Sequence, residues 1–133
     1  MSTAKGMKRH RRPEWDEYYL LIAHAVSTRG ECTRRQVGAV IVKDHTIIST
    51  GYNGAAPGAR SCLDGACPRA NSDAEPGQDY AQTGCHVIHA ETNAIIRSGR
   101  DRASGATMYV TEEPCVLCVP LIRAAGISEV VHP

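Results

Sequence analysis

Apolar side chains near the start of the chain recur at three- and four-residue steps: Trp15, Tyr18, Tyr19, Ile22 and Val26. That period predicts an amphipathic helix over 14–28, with those five residues on its inner face. The pattern then changes. Residues 37–42 form a β-branched, nearly continuous apolar run, as expected of a strand buried on both faces. Lys43-Asp44-His45 reads as a turn, and 46–50 as a second strand that completes a hairpin. From 51 to 81 the period disappears in a stretch rich in Gly, Pro, Asn, Asp and Ser. A loop of that length inside a compact domain is expected to be functional or stapled by a metal. Periodicity returns at 89–98, a helix with Ala90, Ala94 and Ile95 on one face and Gly99 as its stop signal. A strand over 107–110, a helix over 115–125 closed by Gly126, and a strand over 127–131 finish the pattern. This order predicts an α/β fold with three layers, α/β/α, around a mixed central sheet whose last two strands run parallel through a helical crossover.

Composition narrows the picture without changing it. The 133 residues are a single-domain length, and 42% hydrophobic with 22% charged residues is ordinary for a globular protein. Phe is absent, so Val, Ile, Leu and Ala must build most of the core. Lys5, Lys8, Arg9, Arg11 and Arg12 all precede Pro13. This divides the chain into a basic tail over 1–13 and a folded domain over 14–133. A nucleic-acid-binding arm is the alternative reading of the tail, but no interleaved aromatics support it. Formal net charge is only +1, which gives no reason to expect a polyanionic partner. No apolar run approaches membrane-spanning length and the N-terminus lacks the apolar stretch of a secretory signal, so the expected location is cytoplasmic.

Six cysteines in such a chain read as metal ligands in preference to disulfides. Two segments stand out: His89-Ala90-Glu91 and Pro114-Cys115-Val116-Leu117-Cys118, each at the start of a predicted helix. One imidazole and two thiolates match what a catalytic zinc takes while leaving a fourth position for water. Three-residue spacing in the first turn of a helix would let both sulfurs face one point, where the helix dipole favours thiolates. Glu91 follows His89 too closely to be forced onto the same metal, so its carboxylate is expected to stand beside the water. Zinc lowers the pKa of such a water from about 15.7 to roughly 7. A carboxylate there can take the proton and hand it on, first to a ring nitrogen and then to a departing amine. The alternative is a structural zinc closed by a fourth protein ligand; an unliganded Glu91 has no use in such a site.

The paired His-x-Glu and Pro-Cys-x-x-Cys segments resemble the signature of zinc-dependent deaminases. From about Trp15 onward the chain is similar to the cytidine and deoxycytidylate deaminase superfamily, and specifically to its deoxycytidylate (dCMP) branch. Val37-Gly38-Ala39-Val40, Gly51-Tyr52-Asn53-Gly54, His89-Ala90-Glu91-Thr92-Asn93-Ala94-Ile95, and Tyr109-Val110-Thr111 leading into Pro114-Cys115 carry the resemblance. Gly-Tyr-Asn-Gly discriminates most, because that loop differs in tRNA adenosine deaminases. The resemblance implies a cytidine-deaminase-like fold and hydrolytic deamination of a cytosine nucleotide, dCMP above all. It also implies a zinc cofactor on His89, Cys115 and Cys118, Glu91 as the catalytic acid–base, and a homo-oligomer. By the same resemblance Asn53 contacts the nucleotide near its sugar and the Ala90 backbone N–H meets the pyrimidine carbonyl; Asn53-Gly54 read by itself is equally a turn. By the resemblance, relatives usually continue through a further helix and often a fifth strand after the position of Val131. For the phosphate, Arg60, Arg69 and Arg97 are candidates among which the sequence does not choose.

Cys32, Cys62, Cys67 and Cys85 resemble in placement the ligands of a second, structural zinc in some phage and bacterial relatives, with Cys67 where some carry histidine. That implies a closed four-cysteine site pinning the long loop. Buried free thiols, or three cysteines completed by His86, remain as alternatives. His10, His24, His45 and His132 read as incidental. Other activities also stay open: a deaminase of another small cytosine-like substrate, a nucleic-acid deaminase, and a zinc module without catalysis.

Overall fold

The computed structural model describes residues 11–65 and 87–133. Arg69, Cys67, Cys85, His86 and most of the basic tail lie outside the described residues. Helix α1 spans Trp15–Ser27, β1 Gly38–Lys43 and β2 Thr46–Tyr52. Next come a 3-10 turn at Cys62–Asp64, α2 at Ala90–Ser98, α3 at Arg100–Ala103, β3 at Thr107–Val110, α4 at Cys118–Ala124 and β4 at Glu129–Val131. The sheet order is β2-β1-β3-β4; β1 is antiparallel to both neighbours, and β3 and β4 are parallel. The mixed sheet and the parallel crossover therefore agree with the periodicity.

Alternation along the central strands creates two cores. Ala39, Ile41, Met108 and Val110 pack with Ala90, Ala94, Ala103, Cys118 and Ile122 on one face. Val40, Val42 and Tyr109 pack with Tyr19 and Ala23 of α1 on the other. Side chains pointing to opposite faces at a period of two make β1 apolar throughout, and its first five residues are all buried. The α2 side meets the sheet with alanines, so the backbones come close.

The stripe on α1 is rotated from the expected one. Tyr19 and Ala23 are the buried residues, while Trp15 and Tyr18 are exposed. Aromatic stacking explains the placement: Trp15 lies on the His45 ring at a centroid distance of 4.0 Å. The Tyr19 hydroxyl donates to the His45 carbonyl at 3.0 Å. His45 thus ties the hairpin turn to α1. In that two-residue turn Asp44 and His45 both adopt positive φ, 51° and 57°, the geometry that matches the twist of a hairpin. Gly99 ends α2 with φ +75°, as predicted, but the chain immediately restarts as α3, which the stop signal concealed.

Gly51 sets how closely α2 can approach β2. A Cβ on it would lie 2.4 Å from both the Ala90 carbonyl oxygen and the Ala94 nitrogen, which are backbone atoms unable to swing aside. Gly51→Ala is therefore expected to cost about 1–3 kcal/mol or more through overpacking. Thermal unfolding would show it as a lowered Tm; an unchanged Tm would contradict backbone contact between β2 and α2.

Candidate active site

His89 is the N-cap of α2, with extended backbone angles of φ −65° and ψ 153°. The preceding residue is clamped. The Gly54 N–H donates to the Ile88 carbonyl at 3.0 Å and the Ile88 N–H to the Gly54 carbonyl at 2.9 Å. Gly51-Tyr52-Asn53-Gly54 thereby forms the seat on which the His89 segment rests.

From that seat His89 Nδ1 lies 3.3 Å from Cys118 Sγ and 3.4 Å from Cys115 Sγ. Among the described residues these three form the single cluster of potential metal ligands, with all donor atoms within 4.8 Å of one another. A tetrahedral zinc with ordinary N and S bond lengths separates such donors by about 3.6 Å, so the set fits zinc closely. Glu91 is not in the cluster, although it is buried next to it at 5% exposure. Three protein donors plus a neighbouring free carboxylate is the arrangement of a catalytic site, not of a closed structural one.

The cysteines reach this point differently from the expectation. Helix α4 begins at Cys118, not at Cys115. Cys115 stands in the turn before it, and its carbonyl accepts from the N–H groups of Cys118 at 3.0 Å and Val119 at 3.2 Å. The three-residue spacing still brings both sulfurs together, but through that turn and not through the first turn of the helix.

Burial pushes the Cys118 thiol up, and the charges of Glu91 and Cys115 push it further, while a hydrogen bond from Thr92 pulls the other way. Without metal, Cys118 is thus a neutral thiol at pH 7, and a cation must displace its proton. Zinc added to metal-stripped protein is expected to release protons and to bind more weakly at pH 6 than at pH 8. Chelator competition at the two pH values checks this; equal affinities would contradict it.

Asn53 is buried and its side chain is engaged. Its Oδ1 accepts from the Val37 N–H at 2.9 Å, and its Nδ2 donates to the Arg35 carbonyl at 2.8 Å. One N–H and one lone pair remain for another partner. Ala90 is fully buried at the first position of α2, where a backbone N–H has no acceptor within the helix. Arg35 also pairs with Glu112, three residues before Cys115, through its Nε at 2.9 Å. This contact links the Asn53 side of the site to the cysteine loop.

Two of the arginines named for the phosphate are described. Arg97 sits in the last turn of α2, about 12 Å of helix rise from His89. There it donates to the Thr50 carbonyl at 3.1 Å and covers the Tyr52 ring. Arg60 is exposed and reaches the Asp64 carbonyl at 3.4 Å. Cys62 is buried and Cys32 half-buried, and Cys32 Sγ accepts from the Arg34 N–H at 3.4 Å. Sequence reasoning missed Thr92 and Asn93. Both lie within the His-Ala-Glu helix start, and a polar pair in a turn otherwise facing the core was the signal available.

The chain matches the family model of the cytidine and deoxycytidylate deaminase zinc-binding region over residues 13–132. It belongs to that family, and it is a zinc-dependent deaminase. Within the family its similarity runs to deoxycytidylate deaminases. It is 51% identical over 125 residues to that of Mycobacterium phage D29, covering 92% of this chain and 96% of the relative. It is 41% identical to that of Saccharomyces cerevisiae over 91% of this chain but only 38% of the yeast protein. Among solved structures, the dCMP deaminase of cyanophage S-TIM5 in complex with dCMP and dUMP superposes with a TM-score of 0.72 at 28% identity, over 92% of this chain and 83% of that one.

Proposed function

We propose that this protein hydrolyses dCMP to dUMP and ammonia. The observation that carries the chemistry is the buried Glu91 beside the converging His89, Cys115 and Cys118 donors. The nucleotide assignment is supported by the similarity to deoxycytidylate deaminases, one of them solved with dCMP and dUMP.

His89 Nδ1 and the sulfurs of Cys115 and Cys118 would hold zinc, which supplies an acidified water as nucleophile. Glu91 takes a proton from the water and delivers it to the ring nitrogen next to the amino-bearing carbon. It then carries the second proton to the departing amine. One water is consumed, the exocyclic C–N bond breaks, a C–O bond forms, and ammonia leaves. The Ala90 N–H, pointing out of the start of α2, meets the pyrimidine carbonyl oxygen. Asn53, with its remaining N–H and lone pair, meets the sugar. Cys32, Cys62, Cys67 and Cys85 would hold a second, structural zinc. The enzyme would work as a homo-oligomer in the cytoplasm. No helix among the described residues is long and apolar enough to cross a membrane.

Zinc-loaded protein offered dCMP, CMP and deoxycytidine side by side tests this through the loss of cytosine absorbance. Turnover of dCMP well above the other two is the expected result. Equal or better turnover of deoxycytidine would move the assignment to a nucleoside enzyme, and no turnover of any would remove the substrate assignment.

A further inference from the structure

Strand β2 is an edge of the sheet, yet its outward carbonyls are covered. Along the edge the carbonyls of Ile48, Thr50 and Tyr52 accept in turn from Arg102 at 2.7 Å, Arg97 at 3.1 Å and Asn93 at 2.9 Å. Alternate residues of an edge strand present their carbonyls outward, and three side chains from α2 and α3 meet three of them in sequence.

One rung differs from the others. The Asn93 amide donates its second hydrogen to the Ile88 carbonyl at 3.3 Å. That carbonyl belongs to the peptide bond leading into His89, so its plane fixes where the His89 backbone begins. The Asn93 backbone N–H also donates to the His89 carbonyl at 3.0 Å, the first turn of α2. Asn93 therefore holds the peptides on both sides of His89, and the same side chain holds the carbonyl immediately before Asn53. A short side chain with two hydrogens on one planar nitrogen is required: aspartate would turn a carboxylate toward two carbonyl oxygens, and leucine would offer no donor.

We infer that Asn93 is a positioning residue, coupling the Gly-Tyr-Asn-Gly loop to His89 so that the nucleotide seat and the metal donors keep one registration. The kinetic part of this inference rests on the deaminase reading of the site; the metal part does not. Ligand-supporting residues of this kind typically change metal affinity or activity 10- to 100-fold when lost. Arg102 supplies the internal control, since it caps the same edge without touching the site.

The test compares Asn93→Asp, Asn93→Leu and Arg102→Leu in the full chain, reading Tm, zinc affinity by chelator competition, and kcat and KM for dCMP. All three variants are expected to lower Tm. The two Asn93 variants are expected to lose about tenfold or more in zinc affinity and in kcat/KM. Arg102→Leu is expected to stay within about twofold of the parent in zinc affinity, as ordinary for a distant site. Asn93→Asp is nearly isosteric and keeps the test open if the leucine variant does not fold. Zinc affinities of the folded Asn93 variants no weaker than that of Arg102→Leu would reduce Asn93 to an edge cap and overturn the inference. If the parent protein does not turn over dCMP, the zinc comparison still decides the role of Asn93.

Discussion

Glu91→Ala is expected to lower kcat by roughly 10²- to 10⁴-fold, the range associated with a positioned acid–base group, while leaving zinc bound and the domain folded. The separation of effects follows from the geometry. Glu91 stands outside the cluster of His89, Cys115 and Cys118, so the three donors survive its removal. It is nevertheless buried at 5% exposure and close enough to Cys118 to push that thiol up. Glu91→Gln keeps the shape without the proton-accepting oxygen and should be comparably slow. Turnover by absorbance and zinc per chain by colorimetric titration are read on the same sample. A variant that keeps zinc and retains turnover within tenfold would show that the proton passes through another group.

Cys115→Ala is expected to remove both zinc and activity, the second large effect. A pair of remaining donors, His89 Nδ1 and Cys118 Sγ at 3.3 Å, cannot reproduce three-point coordination. Cys115 is the better choice for this experiment because it is only half-buried, whereas Cys118 is a core residue packed against the sheet. Its contribution to the start of α4 is made by its backbone carbonyl, which alanine retains. The far-ultraviolet spectrum should therefore persist while catalytic zinc is lost and turnover falls to the uncatalysed background. Full zinc occupancy at this site in Cys115→Ala would contradict the assigned donor set.

How much of this was legible in the residues depended on the kind of signal. Period and β-branching located the four strands and the helices α1, α2 and α4, and hence the three layers, because burial imposes those periods directly. The convergence of His89, Cys115 and Cys118 was legible because their chemistry is confined to two short segments. Distances between segments were not. That Asn53 spends its amide on the Val37 and Arg35 backbone, or that Arg97 lies at the sheet edge, depends on how β2 and α2 pack. Exposure of Trp15 was hidden for a related reason: a 3–4 period gives an apolar stripe, but His45, distant in sequence, supplies the ring that receives it. Asn93 was invisible as a positioning residue because its meaning lies in two carbonyls contributed by separate segments.

The most direct test of the central claim is to incubate the zinc-loaded protein with dCMP in water enriched in oxygen-18 and to measure ammonia and the mass of the product. Hydrolysis at the amino-bearing carbon predicts one ammonia per nucleotide and dUMP carrying a single heavy oxygen at that carbon. Unchanged dCMP under conditions where the protein holds its zinc, or dUMP without the label, would contradict hydrolytic deamination by this site.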